Sequence, residues 1–189
     1  MLDPKRKYKK ITEKLVPPTV IVELSPLHEA FCRFLFKTPD KKAEIYAPRT
    51  TSIGRAINGY ITKADIKPVL PNKINPVTFI VPETKANWYS LQTKFLYFTV
   101  EDNEALVDRI ETEYANWCEN FFKDGYAMNM DQLMIIESIM DLLNVRWNAI
   151  SFEAIKKYDY RERKDKVRKR SKAILMSKKS GNYKLENFF

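Results

Sequence analysis

Glycine is nearly missing from this 189-residue chain, which holds only Gly54, Gly59, Gly125 and Gly181. Backbone approaches a phosphate closely only where side chains are absent, so the scarcity speaks against phosphate-cradling loops and the common cofactor enzymes. Histidine is rarer still: His28 stands alone. That leaves no histidine pair for a metal centre or a proton relay, and no serine sits in a nucleophile elbow. Cys32 and Cys118 are far apart and form no C-x-x-C pair. A chain of this size needs no disulfide framework, and both read as buried thiols in a reducing compartment. Long apolar runs are also lacking. Phe79–Val81 and Phe95–Tyr97 fall far short of the ~18–20 residues that span a bilayer. The basic start, Met1–Lys7, has no apolar region behind it and is not expected to act as a secretory signal. These absences favour a cytoplasmic protein without membrane, cofactor or metal.

What the chain does hold is enough for a core. Apolar residues make up 44%, aromatics 13% and charged residues 30%, the size and balance of one domain with tails. Its charge of +9 is unevenly placed. Lys156 to Lys179 carries twelve Lys/Arg against three acids, a local +9, and Met1 to Lys14 a local +4. Glu101 to Asp141 carries eleven acids and two bases, a local −9. An acidic body with basic ends points to a polyanionic partner, or to charge-matched contacts between subunits.

Periodicity divides the chain into a basic arm (1–18), one α+β domain (19–155) and a basic helix with a C-terminal tail (156–189). Thr19–Leu24 is β-branched and reads as a strand. Ser25 and Pro26 open a helix with Leu27, Ala30, Phe31, Phe34 and Leu35 on one face. Glu44–Ala47 is a short strand. Ser52 is the expected cap of a helix carrying Ile53, Ala56, Ile57, Tyr60 and Ile61. Three prolines make 66–76 a connector. Pro76–Pro82 and Lys94–Val100 are expected to join a small antiparallel sheet, with a helical turn between them.

From Glu101 onward the pattern is helical. Leu106, Val107, Ile110, Tyr114, Trp117, Cys118 and Phe121 recur at three- and four-residue steps, and Asp124-Gly125 is the expected glycine cap. Asn129 and Gln132 fit a capping box for the next helix, whose face is Leu133, Ile136, Ile139, Met140 and Leu143. Ser151 is the expected cap of a last helix that continues into the basic run. The fold class is therefore α+β, with a helix-rich C-terminal half and a long basic C-terminal helix.

Few residues offer chemistry. His28 and Cys32 share a helix face at i, i+4, but two further ligands are wanting, and a capping-turn histidine beside a core thiol is the better reading. Glu111 with Asp108, or Asp102 with Glu104, is close enough to chelate Mg²⁺, yet acids opposite an apolar stripe are ordinarily its solvated side. Catalytic and metal-binding residues are accordingly not assigned, and the protein is not expected to be an enzyme.

The segment Asp131–Tyr160 resembles a helix-turn-helix, with Asn144 at the sharp turn and Met140, Leu143, Val145 and Ile150 at the apolar positions. In that arrangement Asn148, Ser151 and Glu153 are the candidate base readers, and Trp147 is expected to wedge against the core. Glu153 departs from the apolar pattern, which leaves a plain helical hairpin as the other reading. The basic run supplies the candidate phosphate contacts: Lys156, Lys157, Tyr160, Arg161, Arg163, Lys164, Lys166, Arg168, Lys169, Arg170 and Lys172. On one helix from Ser151, Lys157, Arg161, Lys164 and Arg168 would line a single side; arginine grips phosphate bidentately and tyrosine stacks on bases. The opposing reading folds this helix back onto the acidic Glu101–Asp141 face.

Pro76–Pro82 together with Ile135–Lys164, ending Ile-Lys-Lys-Tyr-Asp-Tyr-Arg-Glu-Arg-Lys, resembles small basic proteins of bacteriophages and mobile elements. The resemblance brings no activity with it. The expectation is a non-enzymatic nucleic-acid-binding protein, DNA ahead of RNA, in the cytoplasm or in a virion. The alternative is a virion or connector protein held to copies of itself and other subunits by its charged arms and by Phe188-Phe189 at the end of its tail.

Overall fold

The computed structural model describes residues 17–68 and 73–161. Within them the order is β1 (Thr19–Glu23), α1 (Pro26–Leu35), β2 (Ile45–Tyr46), α2 (Ser52–Tyr60), β3 (Thr62–Ala64), β4 (Pro76–Ile80), α3 (Trp88–Thr93), β5 (Phe95–Tyr97), α4 (Val100–Ala127), α5 (Gln132–Leu142) and α6 (Ala149–Lys156). The α+β class is borne out, with the helical weight late in the chain. The chain groups into two compact units, one ending at Ile110 and the other starting at Glu111, so the boundary falls inside α4.

In the first unit β4 is the central strand of three. It pairs antiparallel with β1, setting Val20 opposite Phe79 and Val22 opposite Val77. On its other side it pairs parallel with β2, where Ile45 meets Phe79. These inward side chains are fully buried, whereas Ile21 between them is exposed, the period of two that a half-covered sheet imposes. Pro76 lacks a donor and stands at the first position of β4, where the ladder tolerates it. β5 lies in a second sheet with β3 rather than beside β4. Thr62-Lys63-Ala64 has too little alternation to announce itself as a strand.

The helix caps follow local chemistry, sometimes one residue from where periodicity sets them. Ser25 Oγ accepts from the His28 backbone N at 3.2 Å, with Pro26 at the first helical position, as expected. The cap of α2 is Thr51, not Ser52: its Oγ1 accepts from Gly54 N at 3.0 Å. Gly54 must stay bare, because a Cβ there would lie 2.1 Å from the Pro48 carbonyl oxygen.

The buried side of α1 also differs from the expected stripe. Phe31, Cys32 and Arg33 are buried, while Phe34 and Leu35 are exposed. Arg33 causes the turn-in: its guanidinium donates to Asp40 O (2.7 Å), Lys41 O (2.7 Å) and Ala43 O (3.0 Å), and to Glu29 Oε1 (2.8 Å). One side chain thereby holds the 37–43 turn against the helix.

In the second unit, Tyr114, Cys118 and Phe122 recur along α4 at every fourth residue and are fully buried, with Phe121 only half-buried. Ile135, Ile136, Ile139, Met140 and Leu143 of the α5 segment, with Ile155 and Tyr158, complete the buried set; Leu133 is exposed instead. Each such apolar side chain contributes about 1.5–3 kcal/mol. Gly125 does not end α4. The helix continues to Ala127, and Gly125 is needed because a Cβ would fall 2.6 Å from Cγ1 of Ile135.

The stop comes at Asn129, which takes φ 61°, with Asn129 N bonding to Tyr126 O at 3.1 Å and Met130 N to Gly125 O at 3.0 Å. That is a Schellman closure. Asn129 is therefore the end of one helix rather than the start of the next. The cap of α5 is Asp131, whose Oδ1 accepts from Met134 N at 2.8 Å.

Candidate nucleic-acid interface

The turn from α5 to α6 is fixed at both ends. Asn144 takes φ 52°, Asn144 N bonds to Asp141 O (3.0 Å), and Val145 N bonds to Met140 O (2.9 Å). Asn148, not Ser151, caps α6: its Oδ1 accepts from Ser151 N at 2.8 Å, while its Nδ2 donates to Arg146 O at 3.0 Å. Both ends of that amide take part in holding the turn. Ser151 lies within the helix and is half-buried, and Glu153 is exposed with its carboxylate 4.0 Å from Lys156 Nζ.

Of the four apolar positions, Met140 and Leu143 are buried and Val145 half-buried, but Ile150 is 84% exposed. Trp147, expected against the core, is 64% exposed. Its ring lies 6.4 Å from that of Phe152 at an interplanar angle of 50°. Lys156 Nζ stands 6.0 Å from the Phe152 ring centroid.

The expected single helix from Ser151 to Arg168 is interrupted. α6 ends at Lys156, and the chain turns at Lys157 and Tyr158 before Tyr160 and Arg161 become helical again. The cause is Asp159, which is 1% exposed in spite of its charge. Its Oδ2 accepts from Tyr126 Oη (2.5 Å) and Gln132 Nε2 (2.7 Å), and its Oδ1 from Arg161 N (2.8 Å). A buried carboxylate is tolerable only with its lone pairs so filled. Burial, followed by the hydrogen bond to the Asp159 carboxylate, pushes the Tyr126 phenol well above its ordinary value. Gln132, expected in a capping box, serves this carboxylate instead.

The first cations of the basic run are likewise engaged by the body. Lys157 Nζ lies 3.2 Å from Glu111 Oε1 and 4.6 Å from the Tyr158 ring centroid. The Tyr158 hydroxyl donates to the same Glu111 oxygen, and its ring meets Tyr114 edge-on at 5.3 Å. Arg161 stacks 3.5 Å over the Tyr126 ring, and Tyr160 meets that ring at 6.0 Å. Lys157 and Arg161 thus do not share one side of one helix. Arg163, Lys164, Lys166, Arg168, Lys169, Arg170 and Lys172 lie outside the described residues, as do the basic arm at the N-terminus and Phe188-Phe189.

Two of the four carboxylates considered for Mg²⁺, Asp102 and Glu111, have other roles. Asp102 Oδ2 accepts from Thr99 Oγ1 (2.9 Å), which in turn accepts from Asp102 N (3.1 Å) to cap α4. Glu111 holds Tyr158 and Lys157. Among the described residues no group of three or more His, Cys, Asp or Glu side chains is placed to hold a metal ion. Among them, too, no helix is long and apolar enough to cross a membrane.

Two features escaped the reading by periodicity: the buried Asp159 with its Tyr126 and Gln132 partners, and the outward Trp147. An acid set between two tyrosines, Tyr158 and Tyr160, near the start of the basic run is the signal that could have pointed to the first. The fold defines the class as an α+β protein with a helical second unit from which a basic segment departs. Comparison with family models, with curated proteins and with solved structures finds no match.

Proposed function

We propose that the chain is a non-enzymatic nucleic-acid-binding protein, of the kind phages and mobile elements carry, which grips the phosphate backbone through the segment beginning at Lys156. The reading also makes it a protein of the cytoplasm, that of the host if viral. The observation that carries it is the anchor at Asp159. Of the twelve Lys/Arg in residues 156–179, nine follow Arg161, next to a point held by three hydrogen bonds and the stacked Arg161 itself. A basic segment tethered at a fixed point presents its charge from one place on the body, which favours capture of a polyanion.

Lys157 and Arg161 also contact Glu111 and Tyr126, so the reading is tested at the cations from Arg163 onward. The test is full-length protein carrying Arg163→Gln, Lys164→Gln and Arg168→Gln together, titrated with a fluorescent duplex across a salt series. The expected result is weaker binding at low salt and a log–log salt slope reduced by about 0.9 for each phosphate no longer neutralised. Helical circular dichroism should be unchanged. An unchanged slope overturns the reading.

A further inference from the structure

The exposed Trp147 is the least explained feature of the second unit. A large aromatic ring is normally among the first to be covered, yet this one is 64% exposed at the tip of a turn. The turn is not slack. Asn144 closes α5 behind it, and the Asn148 amide clamps it by accepting from Ser151 N and donating to Arg146 O. Phe152 supports the indole from α6, with Lys156 beside that second ring and exposed Arg146 next in the chain. A solvent-facing aromatic ring, held in a fixed turn and backed by a second ring, is the make-up of a base-stacking platform.

We propose that Trp147 stacks an unpaired base, so that the preferred ligand is single-stranded nucleic acid and the α5–α6 turn is its second contact after the basic segment. This rests on the nucleic-acid reading above and deepens it. The single strand follows from geometry. Indole must meet the flat face of a base, and in a duplex those faces are covered by neighbouring pairs, leaving only edges and phosphates. Arg146 precedes the ring in sequence and is exposed, and Lys156 stands beside the supporting Phe152, so cations for a strand's phosphates occur in the same turn and helix. Sequence selectivity is low on this account, because every base has a stacking face.

The experiment compares wild type, Trp147→Ala and Trp147→Phe, all full length, for binding a fluorescent fifteen-nucleotide oligothymidylate and a duplex of equal length at matched salt. Trp147→Ala is expected to weaken the oligothymidylate by about ten- to a hundredfold, the measured range for one stacked base. Duplex affinity and both salt slopes should stay as they were, and Trp147→Phe should recover most of the loss. Wild-type tryptophan emission should fall on binding the oligothymidylate, and that fall should shrink in Trp147→Phe. The side chain is largely in water, so circular dichroism should match throughout. Equal affinity of Trp147→Ala and wild type for the oligothymidylate overturns the proposal, as does an equal loss on both ligands. If Trp147→Ala changes the oligomeric state by light scattering and leaves the oligothymidylate untouched, the ring belongs to a protein interface and the proposal fails. The basic-segment reading fails separately, by the unchanged salt slope of the triple glutamine variant.

Discussion

Cys32 and Cys118 are fully buried, and burial pushes both thiols from 9.0 up to about 12. At Cys118 the Tyr114 hydroxyl works the other way as a hydrogen-bond partner, yet desolvation dominates, and burial raises the Tyr114 phenol too. A thiol must be thiolate to react. Both cysteines should therefore be silent to Ellman's reagent at pH 8 in the native protein, and both should react in guanidinium; native reactivity would show that one of them is accessible. The same shift has a stability consequence. The folded state keeps its thiol protons where the unfolded chain would lose them, so this contribution is whole below about pH 9 and is lost as pH climbs towards 12. The urea midpoint should fall across that window. Arg33 and Asp159 make a related point at this scale: each is a buried charge held by polar groups from its own unit, and each fixes a turn rather than a catalytic geometry.

Helix endings show how this chain manages with so little glycine. α1, α4 and α5 each stop at a residue of positive φ: Lys37 at 53°, Asn129 at 61° and Asn144 at 52°. In α1, Lys37 N bonds to Phe34 O at 3.2 Å and Thr38 N to Arg33 O at 2.8 Å, the same Schellman pattern that closes the other two. Asparagine tolerates the left-handed region better than lysine does, and glycine adopts it freely. Lys37→Gly should thus stabilise the protein by about 0.5–1 kcal/mol, the relief of a left-handed side chain less the extra freedom of unfolded glycine. Asn129→Gly and Asn144→Gly should gain less. Urea unfolding of the three variants checks the order, and a loss at Lys37→Gly would mean that the lysine side chain does something the backbone does not reveal.

Over the whole molecule the decisive quantity is the separation of −9 in Glu101–Asp141 from +9 in Lys156–Lys179. Among the described residues the two meet in the ion pair of Lys157 with Glu111, which is half-exposed and belongs to a class that contributes little on its own. Two readings of the separation differ in what the tail does. Residues 181–189 hold one lysine and one glutamate, so they add nothing to phosphate capture. On the nucleic-acid reading their deletion should leave oligomeric state and salt slope unchanged. A shift to monomer on light scattering would favour the alternative, in which Phe188-Phe189 anchors a neighbouring subunit.

The α+β class, the strand at Thr19, the proline-led helix at Pro26 and the α5–α6 hairpin were legible from residue order, because period, capping and turn chemistry act within a few residues. The acidic and basic poles are a matter of order alone. Everything that depended on a distant partner was not legible. Gly125 resembles a helix end until Ile135 is seen to occupy the space of its missing side chain. Asp159 resembles one more surface acid in a basic helix until Tyr126 and Gln132 close on it and break that helix. Trp147 resembles a core residue until no side chain other than Phe152 comes forward as a ring partner among the described residues. Local signals state what a residue favours, whereas burial is conferred by whatever packs against it, and for these three that comes from elsewhere in the fold.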